Sequence, residues 1–139
     1  MLDAFAGTGA LGFEALSRGA ADVTFVEADT RVLAFLRRNA ETLEVTARCL
    51  ILAERVETLL DRRGLEGGFD LVLADPPYAS GPGESFLRQV AASGILSAGA
   101  RVVFQRDART LPAPGQVTGL EQVRTARYGR TCLDFYSVP

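Results

Sequence analysis

The residues with the clearest chemistry are Asp75-Pro76-Pro77-Tyr78, which follow the apolar run 69–74. This run has the length and the character of a buried parallel strand. The two prolines cannot donate ladder hydrogen bonds, and each holds φ at about −65°, so the loop should be stiff. In an open α/β sheet such a loop lies where ligands bind. Its carboxylate, its backbone carbonyls and its aromatic ring suit a planar group that bears an exocyclic NH2.

A second group of residues follows the first predicted strand. Gly7, Gly9 and Gly12 form G-x-G-x-x-G between that strand and a predicted helix, and Glu27 ends the next predicted strand. The glycines permit a tight turn and close backbone approach, and an acid about 20 residues further on accepts hydrogen bonds from ribose hydroxyls. The pattern predicts a nucleoside-containing cofactor. NAD and S-adenosylmethionine share this pattern, and a glycine-rich turn without a ligand is the alternative.

Asp3 helps to decide between these two candidate cofactors. It lies in the first predicted strand, where a dinucleotide-binding fold usually has only apolar residues. A carboxylate at this place can accept a hydrogen bond from the amino group of a methionine moiety, and hydride transfer has no use for the loop at Asp75. We therefore predict S-adenosylmethionine as the cofactor. The alternative for Asp3 is a strand-end carboxylate that caps local backbone.

Strand-like and helix-like segments alternate along the chain. The predicted strands are residues 2–6, 22–27, 49–52, 69–74 and 100–105, and the predicted helices are 10–18, 30–43, 54–63 and 84–96. After a Pro/Gly-rich stretch, two further strand-like runs, 117–127 and 131–138, flank a hairpin turn at 128–130. The pattern predicts an α/β fold: one domain over residues 1–139, with a mostly parallel seven-stranded sheet, helices on both faces and a C-terminal antiparallel hairpin.

Composition excludes several classes of protein. With 139 residues and 47% hydrophobic content, the chain can bury a core, yet no stretch is suited to span a membrane and no secretion signal is visible, so we expect a cytoplasmic protein. Histidine is absent, which removes Ser-His-Asp and Cys-His catalysis. Cys49 and Cys132 have no CxxC spacing, so we expect buried free thiols and no metal site.

Charge is distributed unevenly. The net charge is −2, but residues 1–75 carry about −5 and residues 76–139 about +3, and all 15 basic residues are arginine. Arginine is the better stacking and bidentate phosphate ligand. The asymmetry points to a polyanion near the C-terminal half, with chance scatter of surface charges as the alternative. The candidate phosphate contacts are Arg106, Arg109, Arg127 and Arg130.

Four segments resemble the RsmD-type rRNA methyltransferases. Residues 2–20 are similar to motif I of that family, and residues 26–28, 73–78 and the tail from Arg127-Tyr128-Gly129 to Tyr136 are similar too, so the resemblance covers essentially the whole chain. It implies a Rossmann-like class I methyltransferase fold and methyl transfer from S-adenosylmethionine to guanine N2 of small-subunit rRNA. The cofactor-binding residues that it implies are Asp3, Phe5, Ala6, Gly7, Thr8, Gly9, Glu27, Ala28 and Glu54. The catalytic residues that it implies are Asp75, Pro76, Pro77 and Tyr78.

The sequence departs from the family in two respects. Members of the family carry a basic helical segment before motif I that helps to cover the cofactor and engage RNA. We expect this chain to lack it, as an internal-start gene product, a truncated form or a weakly active homologue would. The family also places an acid near the adenine after the third strand. Glu54 is the candidate here, in a register that the sequence leaves open.

The resemblance and the chemistry together predict a mechanism. The carboxylate of Asp75 and the carbonyl of Pro76 accept both N2 hydrogens of guanine, and Tyr78 stacks on the extruded base. We expect a monomer that acts on ribosomal RNA or the small ribosomal subunit, without a metal or a membrane.

Four alternatives remain open. The first is a DNA adenine-N6 methyltransferase, although no separate target-recognition region is present. The second is a protein-glutamine methyltransferase, which would usually have Asn in place of Asp75. The others are an NAD-dependent oxidoreductase and a cofactor-binding homologue without catalytic activity.

Overall fold

A computed structural model of the chain describes residues 1–62, 68–77, 83–109 and 115–139. Strands and helices alternate as the sequence pattern predicts. The helices are α1 (Ala10–Ser17), α2 (Thr30–Thr42), α3 (Val56–Leu60) and α4 (Gly83–Ala92). The strands are β1 (Leu2–Ala4), β2 (Val23–Val26), β3 (Cys49–Leu52), β4 (Phe69–Ala74), β5 (Leu96–Asp107), β6 (Glu121–Tyr128) and β7 (Thr131–Ser137).

The strands form one sheet in the order β3-β2-β1-β4-β5-β7-β6. Strands β1 to β5 are parallel, and β7 is antiparallel to both β5 and β6. The predicted α/β fold, with its seven-stranded sheet and closing hairpin, is confirmed. Because β1 lies between β2 and β4, the loops that follow these three strands meet at one edge of the sheet. The prediction of a single domain over residues 1–139 stays a prediction.

Two apolar clusters cover the two faces of the sheet. Helices α3 and α4 pack on one face, against a core that includes Leu2, Val72, Phe104 and Tyr136. The other cluster joins α1 and α2 to β2 and includes Leu16, Val23, Phe25, Leu33 and Leu36. The alternation of side chains along β1 explains the division, since Leu2 and Ala4 face one cluster while Asp3 faces the other. Helices α1 and α2 therefore pack on one face of the sheet, next to the glycine turn, and α3 and α4 pack on the other face, next to β4.

Several predicted boundaries are wrong. The helix predicted over residues 84–96 ends at Ala92, and Leu96 already belongs to β5. Gly94, with φ of 77°, turns the chain out of the helix. The strand predicted from residue 117 begins at Glu121, because Val117 and Leu120 form an isolated bridge around a turn. In both cases the apolar pattern continues through a turn, so hydrophobicity alone places the boundary wrongly.

Cys49 and Cys132 are free thiols as predicted, but only Cys132 is buried. In the part of the chain that the structure describes, every helix is too short or too polar for a membrane span. The cytoplasmic location remains a prediction.

Candidate functional site

A cleft of about 690 Å³ lies at the carboxyl ends of β1, β2, β3 and β4. The cleft brings together most of the residues that the sequence predicted for the site, although they come from four separate segments of the chain. The predicted residues that line it are Asp3, Phe5, Ala6, Gly7, Thr8, Glu27, Ala28, Glu54, Asp75 and Pro77. Of the remaining predicted residues, Gly9 and Pro76 lie beside the cleft in the described chain, and Tyr78 lies outside the described residues.

The carboxylate of Glu27 holds the glycine turn against the end of β2. Its Oε2 accepts a hydrogen bond from Gly7 N at 2.8 Å, and its Oε1 accepts one from Asp29 N, also at 2.8 Å. A carboxylate oxygen can accept more than one hydrogen bond, so Glu27 retains capacity for ligand hydroxyls. Glu27 therefore organises the turn that surrounds the cleft, in addition to its predicted role as an acceptor.

Asp3 lies beneath the glycine turn and is buried, with 1% of its surface exposed. Its Oδ2 accepts a hydrogen bond from Gly12 N at 2.9 Å, in the first turn of α1. The capping residue of α1, Gly9, has no side chain to offer, so the carboxylate from β1 satisfies an otherwise unpaired N–H at this helix end. Asp3 thus joins β1 to α1 across the turn, and its contact with a cofactor stays a prediction.

The buried carboxyl of Asp3 should make stability depend on pH. Burial raises its pKa to about 7 from 3.8, with smaller contributions from Asp75 and Glu27. The folded chain therefore binds this proton more tightly than the unfolded chain does. As a result, the free energy of unfolding should fall as pH rises from about 4 to about 7, and then level off.

Asp3→Asn is the variant that tests this pH dependence. Asparagine keeps an oxygen that can accept from Gly12 N, but it does not titrate. Over the same pH range, the free energy of unfolding of the variant should therefore decrease less than that of the wild type, and the difference should be on the order of a few kcal/mol. Urea unfolding at several pH values measures the difference. Asp22→Asn, at a carboxylate whose side chain is 75% exposed, is the matched control. Parallel pH profiles for Asp3→Asn and the wild type would contradict the prediction.

Phe5 adopts a backbone conformation that the sequence did not suggest. Its φ is 67°, in the left-handed region that disfavours residues with a side chain by about 1–2 kcal/mol. The Phe5 ring packs against Phe86 of α4, with centroids 5.5 Å apart, which anchors the residue. Strained residues of this kind cluster at ligand sites. No sequence signal identifies this strain, because glycine is the residue expected at such a φ.

Asp75 follows β4 directly and is half-buried at the cleft. Burial raises the pKa of its carboxyl, and a hydrogen bond with the side chain of Gln105 lowers it in part. Sequence reasoning missed Gln105. The signal that could have found it is strand register, since Ala74 lies opposite Phe104 and the next residues of both strands are therefore neighbours. Gln105 is placed to orient the carboxylate of Asp75.

Glu54 follows β3, where the sequence left the register open, and its contact with an adenine stays a prediction. It lines the cleft with a side chain that is 14% exposed, and its Oε2 forms an ion pair with Arg62 at 2.5 Å. Its Oε1 is buried and has no hydrogen-bond partner among the described residues. A buried carboxylate oxygen without a partner is costly unless a ligand donor reaches it. The exocyclic amine of an adenine is a donor that fits this position.

The charges along the cleft distinguish between the candidate cofactors. Six carboxylates and one arginine line it: Asp3, Glu27, Asp29, Glu54, Glu57, Asp75 and Arg55. This lining attracts a cationic sulfonium and ammonium and repels a pyrophosphate. The Gly12 N–H of α1, a group that commonly binds phosphate at a helix start, already donates to Asp3. The residues present therefore fit S-adenosylmethionine, and within the described ranges no group of three or more His, Cys, Asp or Glu side chains could hold a metal ion.

The four candidate phosphate contacts differ in their surroundings. Arg106 is wrong as a candidate, because it is 8% exposed and its Nε donates to Asp134 Oδ2 at 2.5 Å. Its position on β5 directs the side chain to the face covered by α4, which charge counting along the sequence cannot show. Arg109, Arg127 and Arg130 are exposed, near the tip of the β6–β7 hairpin.

A second cavity, of about 600 Å³, lies at the opposite end of the strands. Met1, Asp22, Gly68 and Asp70 are among the residues that line it. It contains none of the predicted site residues, and ligands of open α/β sheets bind at the carboxyl ends of the strands. We therefore place the functional site in the cleft that contains Asp75.

Known proteins resemble this chain over nearly its whole length. The model of the family described as conserved hypothetical protein 95 matches residues 1–137. The Bacillus subtilis protein named "Putative rRNA methyltransferase YlbH" is 32% identical over 136 residues, which is 97% of this chain and 73% of that protein. A solved structure of a conserved hypothetical protein from Streptococcus pyogenes superposes with a TM-score of 0.89 at 32% identity, over 99% of this chain and 84% of that one.

One relative bears the name that the resemblance predicts. "Ribosomal RNA small subunit methyltransferase D" of Escherichia coli K12 is 33% identical over 116 residues, and the match covers 81% of this chain but only 57% of that protein. The family match confirms the resemblance drawn from motif I and from the loop at Asp75, and it supports S-adenosylmethionine as the cofactor and not NAD. The chain belongs to the family of conserved hypothetical protein 95, the RsmD-type methyltransferases.

Proposed function

We propose that this chain transfers a methyl group from S-adenosylmethionine to the exocyclic N2 amine of a guanine in small-subunit ribosomal RNA. The observation that carries the proposal is the position of Asp75, half-buried at the end of β4 in the same cleft as Asp3, Gly7 and Glu27. In this proposal, an acceptor for an NH2 group and a site for a cationic methyl donor adjoin each other. The names of the relatives, which are rRNA methyltransferases, supply the substrate class.

The cofactor site is formed by the acidic lining of the cleft. S-adenosylmethionine, when bound, supplies a methyl group on a sulfonium that is activated toward an amine. Glu27 would accept from the ribose hydroxyls, Glu54 Oε1 from the adenine amine and Asp3 from the methionine ammonium. Phe5, Ala6, Gly7, Thr8, Gly9 and Ala28 would form the walls of this site. The acidic lining and the engaged N–H of Gly12 disfavour NAD, because its pyrophosphate would face carboxylates.

The acceptor loop would prepare the amine for attack. The lone pair of guanine N2 is delocalised into the ring, so the amine is a poor nucleophile. Hydrogen bonds from N2 to the Asp75 carboxylate and to the Pro76 carbonyl would draw the lone pair out of conjugation and direct it at the methyl group. The N2 lone pair would form the new N–C bond as the C–S bond breaks, and the bonding electron pair would leave with sulfur. One N2 proton is lost afterwards, either to Asp75 or to water.

The remaining residues of the loop would hold this geometry. Pro76 and Pro77 restrict the backbone, and Gln105 holds the carboxylate of Asp75 by a hydrogen bond. Tyr78, outside the described residues, is proposed to stack on the extruded base, which is worth roughly 1–3 kcal/mol. This value is comparable to the few kcal/mol that it takes to unstack a base.

The test is a methyl-transfer assay with product identification. The chain is incubated with labelled S-adenosylmethionine and small ribosomal subunits from a strain that lacks the modification, and the rRNA is then digested to nucleosides. We expect label in N2-methylguanosine. Label in N6-methyladenosine, or transfer to DNA and not to rRNA, would overturn the guanine assignment. Calorimetric titration that shows binding of NAD and none of S-adenosylmethionine would overturn the proposal as a whole.

A further inference from the structure

The tip of the β6–β7 hairpin presents an exposed aromatic ring among arginines. Tyr128 ends β6 with 64% of its surface exposed. Arg127 precedes it on β6, Arg130 lies in the hairpin turn and Arg109 follows β5, and all three are exposed. An exposed tyrosine with several neighbouring arginines provides both a stacking surface and phosphate ligands, which is the combination that single-stranded nucleic acid requires. We call these four residues the hairpin-tip surface.

The hairpin-tip surface is held in place by contacts within the fold. Gly129, at φ of 60°, starts the two-residue turn between Tyr128 and Thr131. Asp107, at the end of β5, accepts hydrogen bonds from Arg130 Nη2 and from Arg109 N, each at 2.8 Å. Ala108 N also donates to Arg130 O at 2.8 Å. These bonds tie the turn to β5, so the tip is presented as a preorganised surface.

The register of the sheet places this surface near Asp75. Asp107 lies opposite Thr131, and Thr131 lies opposite Tyr128, so the tip extends from the same edge of the sheet as the loop after β4. Asp75 and Tyr128 are separated by three strand spacings across the sheet and by about two residues along it. Together these amount to about 16 Å, before the twist of the sheet is counted. A single strand with its target base at Asp75 would therefore reach the tip within a few nucleotides, at about 3.4 Å for each stacked nucleotide.

We infer that the hairpin-tip surface binds the RNA strand a few nucleotides from the target guanine, with Tyr128 stacked on an unpaired base and Arg130 on a phosphate. This inference rests on the proposed function, because it takes RNA as the substrate. Charge favours RNA over a protein partner, since the tip carries Arg109, Arg127 and Arg130, while the carboxylate of Asp107, which pairs with Arg130, is only 6% exposed. Stacking and phosphate contacts carry little sequence information, so the surface would add affinity and register while the loop at Asp75 selects the base.

The experiment measures RNA binding by fluorescence anisotropy, with a labelled single-stranded RNA of mixed sequence and about 12 nucleotides. Tyr128→Ala should weaken binding about tenfold, equivalent to about 1.4 kcal/mol, without changing its salt dependence. Tyr128→Phe, which keeps the ring, should bind like the wild type. Arg130→Ala should weaken binding and also reduce the slope of log K against log salt by about 0.7.

Two exposed residues on α2 serve as matched controls. Phe35→Ala removes an aromatic ring that is 60% exposed, and Arg38→Ala removes an exposed arginine; both should bind RNA like the wild type. Calorimetry with S-adenosylmethionine should give the same affinity for every variant. An equal loss of cofactor affinity in Tyr128→Ala would mean a structural defect and would overturn the inference.

The remaining outcomes separate the inference from the proposed function. If the wild type binds and methylates RNA while Tyr128→Ala and Arg130→Ala bind the oligonucleotide normally, only the inference is overturned. If these variants lose binding to assembled small subunits but not to the oligonucleotide, the surface contacts protein, and the inference is again overturned. If the wild type neither binds nor methylates RNA, the proposed function fails and the inference fails with it.

Discussion

Replacing Asp75 by alanine is expected to lower the rate of methyl transfer by at least about 100-fold. The variant loses the carboxylate that would orient the N2 amine, and positioning supplies most of the acceleration in this proposal. The fold should remain intact, because burial raises the pKa of this carboxyl and its removal therefore relieves a desolvation cost. The measurement is the single-turnover rate with small ribosomal subunits, together with the thermal midpoint of each variant.

Two further variants make the Asp75 experiment specific. Asp75→Asn keeps the size of the side chain and one acceptor oxygen but removes the negative charge, so it should transfer methyl groups more slowly than the wild type and faster than Asp75→Ala. Asp70→Asn changes the same residue type at the opposite, exposed end of β4 and should transfer methyl groups at the wild-type rate. Full activity in Asp75→Ala would show that the proposed role of this carboxylate is wrong.

Replacing Gly9 by alanine is expected to destabilise the fold by roughly 2–5 kcal/mol. Gly9 has φ of 90°, and an added Cβ would lie 2.4 Å from both Leu36 Cδ1 and Phe13 Cε2. Neither neighbour can move freely, since Leu36 is fully buried and the Phe13 ring packs on Phe25 with centroids 5.0 Å apart. Cofactor affinity should fall as well, because Gly7 and Thr8 of the same turn line the cleft. Urea unfolding and calorimetry measure the two effects.

Gly68→Ala is the matched control for Gly9→Ala. Gly68 precedes β4, and an added Cβ there would meet no atom of the described residues within 4 Å. Its free energy of unfolding should stay within about 0.5 kcal/mol of the wild type. If Gly9→Ala and Gly68→Ala unfolded at the same urea concentration, the steric argument for the glycine turn would fail.

The central features of the site could be predicted because each is encoded locally. The apolar run of β4 and the prolines after it indicate a buried strand that ends in a stiff loop, whatever the rest of the chain does. The glycine spacing likewise indicates a strand, a turn and a helix in direct succession. Such patterns report backbone conformation and burial, which depend mainly on neighbouring residues. The alternation of these segments then limits the topology to a parallel sheet with loops at one edge.

The contacts that the sequence did not predict are all between distant segments. Gln105 meets Asp75 only because β4 and β5 pair in one register. The charge pattern predicts Arg106 as a phosphate ligand, yet it is buried against Asp134, 28 residues away in sequence. In both cases a shift of one residue would turn the side chain to the other face of the sheet. Composition and spacing carry no information about that register.

Local spacing and residue type are enough to predict the fold class, the glycine turn and the stiff loop at Asp75 from the sequence. How these parts meet in space follows from the tertiary structure. The tertiary structure places the carboxylate of Asp3 at the start of α1 and lets the carboxylate of Glu27 accept a hydrogen bond from Gly7 N in the glycine turn. It also brings the hairpin tip to the edge of the sheet that carries Asp75. The physical reason is that strand order and register bring distant residues together, and these emerge only when the whole sheet packs against its helices.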